Sequence, residues 1–142
     1  GGTVLRNGRV EGFVQRGLLL GNHARIDRVD VTHVRHGAIA VGNGALLTDC
    51  GVSMVYGTGL FASSVTLRGC EFRLVRVTGV ELMSGGGSIL DSRFYRNGTA
   101  VRGTDAIGRV LLGRNAFEGN ATHITGSWVA ADSNLCGTVP CQ

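Results

Sequence analysis

Three side chains in this sequence stand 21 and 20 residues apart and share a recognition chemistry: Arg35, Tyr56 and Arg76. Arginine offers a planar fork that matches a carboxylate. A tyrosine ring offers a face to a cation or a sugar. His33, Arg73, Tyr95 and Arg96 fall at related spacings. Brought to one surface, these residues make a basic face with aromatics, suited to an acidic polysaccharide or an acidic protein partner. The competing reading is a solvated face in which Arg and Tyr stack to cover a core. His33, Arg35, Tyr56, Arg73, Arg76 and Arg96 are therefore the candidate ligand-binding residues.

Catalytic patterns are sparse. Sugar hydrolysis needs two carboxylates flanking one bond, and Asp49 and Asp91 are the pair to consider. Arg28 and Arg114 accompany them at matching positions, as ion-pair partners would. Arg9 with Asp30 and Glu71 with Arg93 read the same way, as cross-strand pairs. Gly-x-Ser-x-Gly is absent, and no Ser-His-Asp order stands out. No C-x-x-C and no His pair at metal spacing occurs, so zinc is not expected. Were the chain an enzyme, Ca²⁺ beside Asp49 and Asp91 would be the expected ion; otherwise no cofactor is implied.

Four cysteines remain. Cys136 and Cys141 bracket Gly-Thr-Val-Pro, a good shape for a short disulfide clasp, which implies an oxidising compartment. Cys50 and Cys70 fit either a second disulfide or two buried thiols.

What must position these residues is an internal repeat of about 21 residues. Leu5, Ile26, Leu47, Leu67, Ile89 and Leu112 occupy one equivalent position. Five residues on come Val10, Val31, Val52, Phe72, Phe94 and Phe117. A third set runs Leu18, Ile39, Leu60, Val80, Val101 and Ile124. Within each repeat the apolar residues alternate at period two, as in strands, with a two-residue interruption that marks a corner. No helical stripe survives three turns. The sequence predicts an all-β, right-handed, single-stranded parallel β-helix of about six coils, its hand following the crossover rule. Residues 1–142 form one domain, with a partial coil and cap over 129–142. Residues 84–87 and 104–109 read as the longest bends, with Asp105 and Arg109 their charged members.

The pattern resembles right-handed β-helix repeats of the pectate-lyase-like superfamily, whose consensus runs roughly I-x-I-x-x-N-x-F-x-x-N-x-x-G-I. Leu112 through Asn120 and Ile89 through Gly98 carry the likeness best. The resemblance implies the fold, and it implies an outer face as the place for any activity. It does not choose among the lyases, hydrolases, epimerases, spikes and adhesins that share that fold.

Composition bounds the rest. Of 142 residues 43% are hydrophobic, ample for a core, and Gly numbers 24 against one Pro. All 14 basic residues are Arg, and the net charge is +4. No basic run is dense enough for a nucleic-acid arm. No secretory leader and no apolar stretch of membrane-spanning length is present. Asn97 and Asn120 match glycosylation sequons but fall on an inward ladder, as turn-stabilising residues do. Leu19, Ala40 and Phe61 form an outward apolar ladder, with Val4 and Leu46 nearby, and are the candidate interface. The N-terminal edge has no evident cap, so an oligomer partner or parent chain is expected there. The reading is an accessory, non-catalytic β-helix domain of an exported protein, extracellular, on the cell surface or periplasmic. The alternatives are a catalytic fragment of a polysaccharide lyase, hydrolase or epimerase, and a structural assembly or adhesin module.

Overall fold

The structure, a computed structural model, describes residues 2–103 and 109–141, and at 84 and 85 the backbone alone. It is a parallel β-solenoid of about six turns, with equivalent residues ~21 apart. The strand Arg25–Val34 lies parallel on Val4–Glu11, with Leu5 against Ile26 and Val10 against Val31. The same registers climb the stack. Ile26 meets Leu47, Leu47 meets Leu67, Leu67 meets Ile89, and Ile89 meets Leu112. The second ladder and the third are held as completely, as far as Phe117 and Ile124. From Ile26 upward the first two ladders are almost wholly buried.

Corners come from backbone geometry. Asn7, Arg28, Asp49, Asp91 and Arg114 all adopt φ of 52–53°, and Gly69 takes 67° at the same rung. A left-handed residue turns the chain and breaks the in–out alternation, which is the two-residue interruption visible in the repeat. The conformation costs a non-glycine residue roughly 1–2 kcal/mol, least for Asn and Asp. A second left-handed ladder follows the next strand: Gly12, His33, Met54, Leu74, Arg96 and Gly119, with φ between 52° and 79°.

Inside the first corner, the rungs from Cys50 upward satisfy backbone polar groups that stacking leaves over. Asn134 Nδ2 donates to Leu112 O at 2.9 Å, and Asn115 Nδ2 to Ile89 O at 2.7 Å. The thiols of Cys70 and Cys50 donate to Leu47 O and Ile26 O at 3.6 and 3.4 Å. All four acceptors are first-ladder residues one coil below. Cys50 and Cys70 are free, buried thiols here, not a disulfide. Their mutual hydrogen bond, with burial, raises the Cys70 thiol far above its ordinary range.

Three rings stack beside them. Phe72 and Phe94 lie 5.4 Å apart at 6°, and Phe94 and Phe117 5.0 Å apart at 10°. Asn97 and Asn120 hold the inside of the second corner. Asn97 is buried, donates to Phe72 O at 2.9 Å and accepts from Val75 N at 3.0 Å. These are turn-holding side chains, as the inward ladder predicts.

One expectation changes. Residues 84–87 are not a bend: the strand Thr78–Leu90 runs through them, and 83–85 face Ser63 alone as a bulge. At the C-terminus, Leu135–Cys136 stacks parallel on the coil below, then pairs antiparallel with Val139–Pro140. The Cys136–Cys141 disulfide closes that hairpin.

Candidate functional site

The second left-handed ladder builds the site. After His33, Met54 and Leu74 the chain sends one side chain inward and the next outward. Val34, Val55 and Val75 go in and are buried. Arg35, Tyr56 and Arg76 come out on consecutive coils, tied by backbone hydrogen bonds from Tyr56 N to Val34 O and from Arg76 N to Val55 O. The guanidinium of Arg76 lies over the Tyr56 ring, 5.8 Å from its centroid. Gly57 keeps the turn tight, because a Cβ there would run into the backbone carbonyl of His36.

These turns enclose a shallow groove of about 1140 Å³ along the solenoid side. His33, Arg35, His36, Tyr56 and Arg76 line it. So do Val14, Met54, Leu74 and Val77, which the sequence reading did not single out. No Asp or Glu lines it. Among the described residues neither Arg35 nor Arg76 has an ion-pair partner.

The groove brings together His33, Arg35, Tyr56 and Arg76, but not Arg73 or Arg96. Arg73 lies on the strand before the corner, 3.9 Å from Glu71, and opens onto a separate polar depression of about 340 Å³. Arg96 folds over its neighbour Tyr95, 4.9 Å from the ring centroid. His33 touches both depressions. It bonds Thr32 Oγ1 at 3.0 Å and stands 3.9 Å from Glu11.

A signal for the missed apolar residues was present. Met54 and Leu74 share a rung position with Gly12 and Gly119, and glycine recurring at one rung marks a left-handed, outward corner. An apolar residue there has nowhere to hide.

The carboxylates are arranged for pairing. Arg114 grips Asp91 through two hydrogen bonds, 2.6 and 3.0 Å, and reaches Asp132 at 3.0 Å. The Arg114 guanidinium holds Asp91 below the usual carboxylate range, so Asp91 is ill suited as a general acid. Asp49 is separated from Asp91 by the Gly69 rung. Arg28 pairs with Asp27 at 3.2 Å rather than with Asp49. Arg9 pairs with Glu11 at 3.1 Å rather than with Asp30, and Glu71 with Arg73 rather than with Arg93. Each is reached along its own stretch of strand, where the partner needs no span between rungs. Among the described residues no three His, Cys, Asp or Glu side chains converge on a point that could hold a metal ion.

The proposed interface is uneven. Leu19 and Phe61 are exposed, but Ala40, between them on the ladder, is only 9% exposed. Its methyl is too short to stand clear of such neighbours, so Leu19 and Phe61 carry most of the exposed apolar surface of this ladder. Asp105 lies outside the described residues. Among those described, no helix is long and apolar enough to cross a membrane.

No family model, curated protein or solved structure matches the chain.

Proposed function

We propose that this chain is a non-catalytic binding domain of an exported protein, and that its groove takes an anionic partner. One observation carries the reading: the groove is lined by Arg35, Arg76 and two histidines with no Asp or Glu, and both arginines lack an ion-pair partner among the described residues. Unpaired guanidiniums beside an exposed ring suit carboxylates. The two partner classes expected from the sequence, acidic polysaccharide and protein, both present them. Export accords with the Cys136–Cys141 disulfide. Kinship to the pectate-lyase-like superfamily rests on the repeat pattern. The catalytic alternative is disfavoured by the engagement of Asp91 with Arg114.

The test is titration of the chain with polygalacturonate and with poly-glutamate, in low and high salt. Binding that weakens with salt and is lost in Arg35→Gln/Arg76→Gln supports the proposal. Binding unchanged in that variant, or none to either polymer, removes it. New reducing ends or unsaturated uronides that vanish in Asp91→Ala would make the domain an enzyme instead.

A further inference from the structure

The floor of the groove is as distinctive as its charge. Met54, Tyr56, Leu74 and Val77 are 40%, 64%, 41% and 51% exposed. They sit in coils three and four, with strands stacked on both sides, so their exposure is not an effect of the stack's end. Met54 and Leu74 also hold φ of 54°, where glycine serves in other coils. Folding gains little from an apolar side chain held outward at a corner, where Gly12, His33, Arg96 and Gly119 serve in the other coils. The first corner makes the contrast inside the same molecule. Its left-handed rungs carry Asn7, Arg28, Asp49, Gly69, Asp91 and Arg114, with no apolar side chain among them.

A polysaccharide leaves this floor half used. Sugar hydroxyls need hydrogen-bonding partners, and the side chains of Met54, Leu74 and Val77 give almost none. A polypeptide supplies carboxylates and apolar side chains together. We propose that the partner is an extended acidic peptide segment, its carboxylates on Arg35 and Arg76 and its apolar side chains on Met54, Leu74 and Val77. This rests on the groove being an anion-binding site.

Spacing narrows the segment further. Arg35 and Arg76 stand two rungs apart, about 9.6 Å at the backbone. An extended polyproline-II segment rises about 3.1 Å per residue with three residues per turn, so residues three apart share a face at about 9.3 Å. The motif is therefore acid, two residues at least one of which is apolar, then acid.

The probe is a synthetic peptide of three Glu-Leu-Pro repeats, with controls that replace every Glu by Gln, or every Leu by Ser. Binding is read by calorimetry against the folded chain, with polygalacturonate run alongside. The Glu-Leu-Pro peptide binds at least tenfold tighter than either control. Arg76→Gln weakens it roughly tenfold, as loss of a central interface arginine does. Leu74→Asn weakens it too, although Asn is at home in a left-handed backbone and keeps the fold. If polygalacturonate binds through Arg35 and Arg76 while the peptide does not, or if Leu74→Asn leaves peptide affinity unchanged, the peptide assignment is overturned and the anion site stands. If neither probe binds the folded chain, both fall.

Discussion

Asn134 Oδ1 accepts from both the backbone N–H and the side-chain Nδ2 of Asn115, at 3.2 and 3.0 Å, so one buried amide seats the next coil's amide above it. Asn115 in turn accepts from Ser92 N and donates to Ile89 O. Asn115→Ala orphans both groups in a dry interior. The expected cost is about 3 kcal/mol, measurable by urea denaturation. Asn115→Asp removes the donor alone and is expected to fall short of the wild type as well.

The ring stack gives a second expectation. Phe94 is buried between Phe72 and Phe117. Phe94→Ala leaves a cavity in a core with coils on either side and is expected to cost about 3–5 kcal/mol. Phe94→Leu keeps most of the volume and is expected to cost clearly less. Thermal unfolding of the pair separates packing volume from ring stacking.

Arg114 sets a pH dependence. Its guanidinium lowers the Asp91 carboxyl, and the Ser133 backbone N–H, with Arg114, lowers that of Asp132. A carboxylate depressed by folding contributes stability that is present above its unfolded value, about 3.9, and is lost as pH falls through the folded one. Wild type is therefore expected to exceed Arg114→Gln in stability at pH 7, with the gap closing as pH falls through the depressed carboxylate values. Both groups are solvent-exposed, so added salt is expected to narrow the gap at pH 7 as well.

The thiols divide sharply. Cys50 and Cys70 are buried and free. In the folded chain neither is expected to react with a thiol-specific reagent at neutral pH, because only the thiolate attacks and the core admits no reagent. Denaturant without reductant is expected to release two reactive thiols, and four with reductant. Appearance of fewer than two would mean that the rungs had joined.

The repeat was legible because stacking repeats the same physical demand on every coil. Leu5 through Leu112 and Val10 through Phe117 each answer one inward vector, so their spacing dictates the register. Asn97 was readable for the same reason. Ion pairs were not. A charged side chain at the surface has several partners within reach, and alignment by rung names only the neighbour above or below. Arg28 chose Asp27, and Arg9 chose Glu11. Arg73 was grouped with Arg76, yet a left-handed corner at Leu74 stands between them and sends the two to different surfaces. Met54 and Leu74 are not legible by alternation, because each stands beside an inward valine at a left-handed corner and looks in sequence like one more core residue.

Each coil is bonded almost wholly to the coil before it and the coil after it. Under tension along the axis, such a chain has no single keystone to fail. Pulled by its ends, it is expected to lengthen in a staircase, each released coil adding roughly 65 Å: about 21 residues at some 3.3 Å, less one rung. The coils that share the Phe72–Phe94–Phe117 stack should be the last to let go. A tethered molecule of this kind acts as a graded force absorber rather than a brittle link.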